Sequence, residues 1–479
     1  SKPFWWPPSA NKEGGGPLEK SKFRMPTAYT ILFLLIILVA VATWIVPSGA
    51  YEYVDEVPVA GSYHSTAPTP QGVGAVLKAA FSGFYDAVDV CVFILMVGGF
   101  LGVVMKTGAV DAGVARIIQR LGGREKWLIP ILMLLFGLGG TTYGMWEETM
   151  AFYPLLIPVF LAAGYDAVVG ISVILLGAGA GVISSTVNPF ATGIAAGFAG
   201  VSLGEGILLR LLQWIVFESA AIWFVMAYAA RVKKNPSRSV VGVGAGKIQV
   251  SMEEPQPEYT PKRKVIMVLF TLVFLVMVYG VIPFDEMGLP LPVLGWWFPE
   301  LSALFLLGGV VIGFIDGQRE DEVAETFVAG CADLLGVAFI IGVSRGITVL
   351  MNDGGITGTI LHWGEEALSG TGAVSFVLLV YLLYLPLTVL IPSSSGLATL
   401  SVPIIAPLGE FAGVGGDLVV TAFQSASGLV NIVTPTAAVV MGGLALGDVP
   451  YDRWVKFVWK LILIFFLLTI AFLMVSAVL

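Results

Sequence analysis

The chain has 479 residues, of which 57% are apolar and only 12% are charged, and its net charge is −8. Soluble domains carry roughly 25% charged residues, so this composition excludes an ordinary soluble protein and predicts an all-α polytopic membrane protein. The basic residues are dispersed along the flanks of apolar segments, and we therefore expect a lipid bilayer, and no nucleic acid, as the surroundings.

In chain order, the hydrophobic pattern predicts a polar tail, about nine spanning helices, two re-entrant hairpins and one polar linker. The N-terminal tail covers residues 1–26, the linker covers 232–264, and a connecting helix covers 265–284. The hairpins are predicted at 127–163 and 374–412. The spans are predicted at 27–47, 85–105, 167–199, 207–230, 265–284, 300–316, 328–351, 417–445 and 457–478.

The distribution of Lys and Arg predicts the orientation. All of them except Lys78, Arg210 and Arg345 fall on one side of this arrangement, in 1–26, 106–126, 231–264, 319 and 453–460. Cytoplasmic loops carry the excess of basic residues, so we expect a cytoplasmic N-terminus, an external C-terminus and a bacterial-type inner membrane.

Two halves of the chain, 27–231 and 300–479, share a collinear set of residues. Asp166 matches Asp417 and Pro189 matches Pro435, at separations that drift by only a few residues. The single connecting helix between the halves inverts the second one, which predicts inverted repeats.

Each half contains a polar break inside a long apolar stretch. The first, GVISSTVNP, lies at 181–189 in the predicted broken helix 167–199, and the second, GLVNIVTPT, lies at 428–436 in 417–445. An unwound backbone in a bilayer is costly unless it lines a cavity, so a matched pair predicts a substrate and ion site. The alternative is a pair of proline kinks whose Ser and Thr satisfy the local backbone. The predicted ligands at the breaks are Ser184, Ser185, Thr186, Asn188, Asn431, Thr434 and Thr436.

The hairpin tips carry further polar side chains. Thr141, Thr142, Glu147, Glu148 and Thr149 lie at the first tip. Ser393, Ser394, Ser395 and Thr399 lie at the second tip. Acidic groups at membrane depth usually face a cavity, where they bind a cation, relay protons or pair with a cationic substrate. The alternative is that both tips reach water and are merely solvated.

Arg345 lies in the middle of a predicted span, and its counterpart in the first half is Gly98. An intramembrane Arg predicts a functional site, and its planar fork suits a carboxylate. The alternative is a structural ion pair with Asp86, Asp89, Asp333 or Glu148. We expect Arg210 and Glu218 to lie near an interface or to be paired.

Catalytic signatures are missing from the sequence. His64 and His362 fall in predicted external loops, Cys91 and Cys331 lack metal-ligand spacing, and no phosphate-binding loop occurs. We therefore expect a protein that is not an enzyme and has no cofactor. Oxygen-rich breaks suit a hard monovalent cation, so Na⁺ is the one metal ion that we consider.

Four segments carry a resemblance to a known family: FRMPTAYT at 23–30, MWEET at 145–149, VNPFATG at 187–193 and PSSSG at 392–396. They resemble the YfcC branch of the DcuC-type (four-carbon dicarboxylate carrier) family, in the ion transporter superfamily. The resemblance implies a homodimer with a scaffold domain and an elevator-like transport domain. Dicarboxylate-transporting relatives carry Ser-Asn-Thr at their tips, whereas this chain has Trp146-Glu147-Glu148-Thr149 and Ser393-Ser394-Ser395-Gly396.

These patterns together predict a secondary active transporter for a small carboxylate-bearing metabolite, coupled to Na⁺ or H⁺ or working by exchange. An amino acid, with basic amino acids included, is the first expectation, and a four-carbon dicarboxylate is the second. The alternative from another class is a channel or a membrane scaffold without coupled transport. The predicted substrate-binding residues are Glu147, Glu148, Thr149, Asn188, Arg345, Ser393, Ser394, Ser395, Asn431 and Thr434. The predicted cation-binding residues are Thr141, Thr142, Ser184, Ser185, Thr186, Asn188, Ser394, Thr399, Asn431 and Thr436.

Overall fold

The computed structural model describes residues 28–54, 57–110, 112–113, 116, 124–142, 144–202, 204–241, 258–281, 284 and 290–478. The predicted tail and the middle of the predicted linker, 242–257, lie outside this part of the chain. Seventeen α-helices form nearly all of the regular structure within it. They are α1 (Ala28–Ile45), α2 (Val73–Asp86), α3 (Val88–Lys106), α4 (Leu128–Thr142), α5 (Tyr153–Ala162), α6 (Ala167–Ile183), α7 (Ile194–Ala199), α8 (Ile207–Lys234), α9 (Pro261–Val281), α10 (Phe298–Asp316), α11 (Glu320–Asp353), α12 (Ile356–Leu368), α13 (Ala373–Leu390), α14 (Ser394–Phe411), α15 (Gly416–Asn431), α16 (Ala438–Leu446) and α17 (Tyr451–Val478).

Short elements of other types connect these helices. Two antiparallel ribbons lie between α1 and α2 and pair Gly49–Ala50 with His64–Ser65 and Tyr53–Val54 with Val57–Pro58. The remaining short elements are the 3-10 turns Glu125–Trp127, Glu147–Phe152 and Pro236–Arg238 and the π-helix Pro189–Gly193.

Six helices of the described chain are long and apolar enough to cross a membrane: α3, α8, α10, α11, α13 and α17. The chain is therefore a multi-pass helical membrane protein, as its composition predicts. The predicted number of nine spans stays a prediction, because each half of a broken helix is too short to cross alone.

The two predicted hairpins differ in the length of their arms. The arms of the first, α4 and α5, have 15 and 10 residues, which suits a re-entrant segment. In the second, α13 has 18 residues and the composition of a span, because Pro386 lies inside the helix without ending it. By length alone, α13 can therefore cross the membrane.

Both predicted broken helices are interrupted. The helix α6 ends at Ile183, and a turn over 184–188 leads to the π-helix and α7. The helix α15 ends at Asn431, and α16 begins at Ala438. An interrupted helix leaves N–H and C=O groups without helical partners, so these groups must find other partners or bind a ligand.

The helices pack as two groups. The first contains α1, α2, α3, α9, α10 and α11, and the second contains α4, α6, α8, α13, α14, α15 and α17. Glycines bring the backbones together in both: a Cβ on Gly330 of α11 would lie 2.3 Å from the Gly98 carbonyl oxygen of α3. In the second group, a Cβ on Gly181 of α6 would lie 2.3 Å from the carbonyl oxygen of Gly137 on α4. Small residues are the usual means of close helix packing in membranes.

Each predicted hairpin packs against the second part of the broken helix in the other half of the chain. The first hairpin lies on α16, where a Cβ on Gly442 would be 2.1 Å from Met150 Cε and one on Gly443 would be 2.5 Å from Tyr153 Cζ. The second hairpin lies on the π-helix and α7 through α14. The two halves of the chain are therefore interleaved.

Loops that the distribution of basic residues assigns to the same side contact one another at two places in the molecule. At one place, Lys233 Nζ lies 3.1 Å from Glu125 Oε2, joining two predicted cytoplasmic loops. At the other place, the Gly61 N–H donates to Glu365 Oε1 at 3.1 Å, joining two predicted external loops. Which loops face the cytoplasm stays a prediction.

The helix α8 connects the starts of both broken helices. At its first turn, the positive charge of Arg210 acts on Asp417 at the start of α15. Near its last turns, the Tyr228 hydroxyl donates to Asp166, which caps α6 by accepting from the Val169 N–H. Since the two matched aspartates lie at opposite ends of one helix, α8 fixes the spacing between the two broken helices.

Candidate functional site

The two broken helices cross at their breaks. A Cβ on Gly179, one turn before the first break, would lie 2.4 Å from Ile432 Cγ2 in the second break. The reciprocal contact joins Gly428 and Ile183, where a Cβ on Gly428 would lie 2.6 Å from Ile183 Cα. Because glycines allow this approach, residues 184–188 and 432–437 come into one region of the molecule.

The tip of the first hairpin holds the first break. The Thr141 hydroxyl donates to the Ser184 carbonyl oxygen at 2.9 Å, and the Thr186 N–H donates to the Thr141 hydroxyl at 3.1 Å. Asn188 Oδ1 accepts from the Phe190 N–H at 2.9 Å and so caps the helix that follows. Three predicted cation ligands with hydroxyl groups, Thr141, Ser184 and Thr186, therefore lie together. Their hydroxyls already serve the local backbone, as the proline-kink alternative requires.

The second break keeps more of its polar capacity. The hydroxyls of Thr434 and Thr436 lie 2.8 Å apart, and the Ser344 hydroxyl of α11 donates to the Thr436 carbonyl oxygen. Asn431 is buried, and its Nδ2 lies 3.5 Å from the Ser427 hydroxyl oxygen. Its Oδ1 is a buried acceptor without a hydrogen-bond partner among the described residues. This oxygen is the best candidate ligand for a monovalent cation at the crossing.

Two glutamates open the 3-10 turn of the first hairpin. Glu148 is only 7% exposed, and its Oε2 accepts from the Trp146 N–H at 3.0 Å. Glu147 is half-buried, and the two carboxylates are close enough to act on one another. Thr149 donates to the Trp146 carbonyl oxygen. The positive charge of Arg345 acts on Glu147, so the predicted acids and the predicted Arg belong to one electrostatic cluster.

Arg345 belongs to α11 of the first helix group and lies near the tip of the first hairpin. Its Nε is 3.6 Å from Asp86 Oδ2 at the end of α2, and the two side chains are 27% and 46% exposed. The alternative interpretation, in which Arg345 forms a structural ion pair, therefore has support for Asp86, one of the four acids considered. An exposed pair of this kind contributes only about 0–1 kcal/mol, which gives a weak structural reason for an Arg in this helix.

The tip of the second hairpin is bonded within itself. Ser393 caps α14 by accepting from the Gly396 N–H at 3.2 Å, and its hydroxyl lies 3.3 Å from that of Ser395. Thr399 donates to the Ser395 carbonyl oxygen at 3.0 Å. Two further predicted residues are partly exposed at the two tips, Ser394 and Thr142. The hydrogen bonds of Ser393, Ser395 and Thr399 thus stay within their own tip.

Two glutamines complete the polar contacts around the breaks, and the sequence reasoning missed both. Gln424 of α15 accepts from Thr192, whose hydroxyl oxygen lies 2.9 Å from that of Ser185. Gln213 of α8 donates to the Ser425 hydroxyl at 2.9 Å. A glutamine inside an apolar helix is costly without a partner, and this rarity was the signal that could have identified them.

The arrangement combines opposite charges with unpaired buried amide groups. The charge of Arg345 acts on Glu147, and Glu148 is its neighbour, so a ligand with both amino and carboxylate groups could be held by both ends. Gln424 Nε2 and Gln213 Oε1 have no hydrogen-bond partner in the described part of the chain. Groups of three or more His, Cys, Asp or Glu that could hold a metal are also absent from the described residues.

Comparison with known protein families gives a match along almost the whole chain. The model of the family described as DcuC, C4-dicarboxylate anaerobic carrier, matches residues 25–478. An uncharacterized protein of Haemophilus influenzae is 34% identical over 495 aligned residues, which cover 93% of this chain and 95% of that protein. The YfcC protein of Escherichia coli K12, named as a candidate basic amino acid antiporter, is 29% identical and is matched over 91% of this chain and 93% of its own.

Two solved transporter structures align along the chain with lower similarity. The YdaH transporter of Alcanivorax borkumensis gives a TM-score of 0.45 at 15% identity, over 94% of this chain and 98% of its own. MtrF of Neisseria gonorrhoeae gives a TM-score of 0.42 at 17% identity, over 94% and 95%. These scores are too low for a comparison of sites residue by residue.

Proposed function

The chain belongs to the DcuC family of C4-dicarboxylate anaerobic carriers, and on that premise we propose that it is a secondary active transporter for a small metabolite with at least one carboxylate. An amino acid, and among these a basic one, is the favoured substrate. The proposed site lies at the crossing of the broken helices and includes Glu147, Glu148 and Arg345. The remaining proposed ligands are Thr149, Asn188, Ser393, Ser394, Ser395, Asn431 and Thr434.

One observation carries the choice of substrate: the charge of Arg345 acts on Glu147, beside the buried Glu148. A guanidinium complements the carboxylate of an amino acid, and two carboxylates complement its amino groups. A dicarboxylate would bring its second carboxylate toward the two acids, and like charges in such a place cost several kcal/mol. The name of the E. coli relative points in the same direction.

A four-carbon dicarboxylate is the second candidate. The description of the family favours it, and Arg345 could bind one of its carboxylates. It requires Glu147 and Glu148 to be protonated or to be balanced by a cation. The same measurements distinguish the two candidates.

The proposed mechanism is alternating access by an elevator movement of the second helix group along the first. It is supported by how few hydrogen bonds of the described residues cross the boundary between the two groups. Examples are the bonds from Ser344 of α11 to the Thr436 carbonyl oxygen and from Thr348 of α11 to the Leu390 carbonyl oxygen, the latter at 3.0 Å. Few polar contacts of this kind would have to break for one group to slide on the other. A homodimer and a location in the inner membrane with a cytoplasmic N-terminus belong to the same proposal.

A thermal-shift screen of the purified protein tests the substrate class. L-lysine, L-arginine, L-alanine, succinate and fumarate are compared, each with and without NaCl. A ligand at 100 times its dissociation constant should stabilise the protein by about 2.7 kcal/mol. We expect stabilisation by the basic amino acids. Stabilisation by succinate and fumarate alone would contradict the amino acid assignment and favour the second candidate.

Variants then test the roles of the charges. Glu147→Gln should weaken binding of L-lysine more than binding of L-alanine, because only L-lysine carries the second amino group. Arg345→Lys keeps the charge but loses the planar fork, so it should weaken both. Glu410→Gln, an exposed position on α14, is the matched control. Uptake into proteoliposomes should saturate and follow an imposed gradient. Unsaturable flux would indicate a channel instead.

A further inference from the structure

Glu218 is a buried acid on α8 that the proposed substrate site does not use. Its residue is 2% exposed, and both carboxyl oxygens lack a hydrogen-bond partner among the described residues. Of the two alternatives that the sequence predicts for Glu218, a partner is not found among the described residues, and a position near an interface stays a prediction. One turn earlier on the same face, the indole N–H of Trp214 is also buried and unpartnered in the described chain.

Among the residues that the structure describes, the surroundings of Glu218 contain no opposite charge. The helices with the most extensive packing on α8 are α4, α6 and α17, and α4 and α6 contain no ionisable side chain. The helix α15 also contacts α8, and its one ionisable residue, Asp417, lies beside Arg210. The 3-10 turn with Arg238 packs on α8 and follows its last residue, Lys234. The ionisable residues of α17, Tyr451, Asp452, Arg453, Lys456 and Lys460, lie in its first three turns, whereas Phe217 of α8 stacks on Phe465, beyond them. On α8 itself, Arg210 is two turns away and acts on Asp417, and Tyr228, Arg231, Lys233 and Lys234 lie toward the other end.

An ionised carboxylate cannot be kept in such a place at moderate cost. Isolated buried charges cost so much free energy that the group takes up a proton and becomes neutral instead. We infer that Glu218 is the binding site for a coupling proton, an inference that rests on the proposed transport function. In the cycle, the carboxyl group releases H⁺ to water on one side of the membrane, and the carboxylate takes up H⁺ on the other.

Two glycines connect Glu218 to the first break. A Cβ on Gly137 of α4 would lie 2.4 Å from Glu218 Oε2, and a Cβ on Gly181 would lie 2.3 Å from the Gly137 carbonyl oxygen. The α4 backbone at Gly137 is therefore packed between Glu218 and Gly181 of α6. Gly181 lies three residues before Ser184, which is part of the first break. When Glu218 loses its proton, water must reach the carboxylate where α4 now lies. A displacement of α4 would carry Thr141 and the first break with it, which couples the proton to the substrate site.

Infrared spectroscopy of the purified protein tests the proton site without knowledge of the substrate. The wild-type protein should show the C=O stretch of a protonated carboxylic acid at neutral pH. Glu218→Gln should lack this band, and Glu410→Gln should keep it. In Glu218→Asp, the band should persist at a shifted frequency, which keeps the test valid if the Gln variant folds poorly. A wild-type spectrum without the band, a band unaffected by Glu218→Gln, or its removal by added NaCl would overturn the inference.

Transport in proteoliposomes tests coupling, with L-[¹⁴C]lysine and [¹⁴C]succinate as probes. In wild type, an inward proton gradient should drive accumulation of one of them. Glu218→Gln should lose at least about tenfold of this accumulation but keep exchange of labelled for unlabelled substrate, because substrate binding is intact. Unchanged proton-driven accumulation in Glu218→Gln would overturn the inference. If wild type transports neither probe, the proposed substrate classes fail, and the infrared result still decides the proton site.

Discussion

Asn188 and Asn431 belong to matching breaks, yet their side chains have different partners. Asn188 Oδ1 accepts from the backbone N–H groups of Phe190 and Ala191, at 2.9 and 3.3 Å, and so caps a helix. Asn431 Oδ1 is buried without a partner in the described chain. The Oδ1 atom of Asn188 therefore contributes to stability, whereas the Oδ1 atom of Asn431 is available to a ligand.

This difference predicts that substitution by Ala affects stability at Asn188 and cation binding at Asn431. Asn188→Ala removes a helix cap and should lower the free energy of unfolding by about 1 kcal/mol, whereas Asn188→Ser should restore most of it. Asn431→Ala removes an unpaired acceptor, so it should leave stability unchanged and abolish any stabilisation by added cation. Denaturant unfolding with and without NaCl measures both. A loss of stability in Asn431→Ala as large as in Asn188→Ala would contradict this assignment.

The sequence identified the polar residues but not their partners. The pattern of Ser, Thr, Asn and Pro located both breaks, because polar groups are rare in apolar segments. It could not reveal that Thr141 would form hydrogen bonds with Ser184 and Thr186, because those bonds depend on how the hairpin folds back. Arg210 has the charged neighbour that we expected, and Glu218 does not, because the turn of α8 directs it at Gly137.

At the scale of elements, glycine positions determine which helices can approach. Gly330 and Gly336 lie on the same helix, α11, but in different surroundings. A Cβ on Gly330 would meet the backbone of α3 at 2.3 Å, whereas a Cβ on Gly336 would meet only the Tyr29 hydroxyl at 3.4 Å. The two positions form a matched pair for testing the packing of the first helix group.

Gly330→Ala should destabilise the protein by about 1–3 kcal/mol, because the added methyl group forces α3 and α11 apart. Gly336→Ala should be neutral or stabilise by up to about 1 kcal/mol, because Ala restricts the unfolded chain. Thermal unfolding in detergent compares the two variants with wild type. If both substitutions behave alike, the close contact between α3 and α11 is not what holds this group together.

The elements that sequence predicts least well are those defined by their neighbours. Apolar length and basic flanks were enough for α8, α10 and α17. They were not enough for α13, where Pro386 and a polar tip resemble a re-entrant arm although the helix has the length of a span. Proline inside a helix does not end it when neighbouring helices satisfy the backbone, and that condition lies outside the local sequence.

At the scale of the molecule, the orientation that the Lys and Arg residues predict for the loops can be tested directly. In a background with both native cysteines replaced by Ala, Thr66→Cys and Asp353→Cys should react with an impermeant thiol reagent applied to intact cells. Lys234→Cys should react only after the membrane is opened. All three positions are exposed. Reaction of Lys234→Cys in intact cells would invert the orientation predicted from Lys and Arg.

The interleaving of the two halves of the chain has a consequence for biogenesis. Met150 and Tyr153 of the first hairpin are covered by Gly442 and Gly443, which are synthesised about 290 residues later. At about 5–20 residues per second, the hairpin waits about 15–60 s for its partner. During that interval the insertion machinery, or a chaperone in the membrane, must shelter Glu148, which the finished protein buries, and its half-buried neighbour Glu147. The rate at which the ribosome completes the second half therefore sets how long the first half is vulnerable to proteolysis.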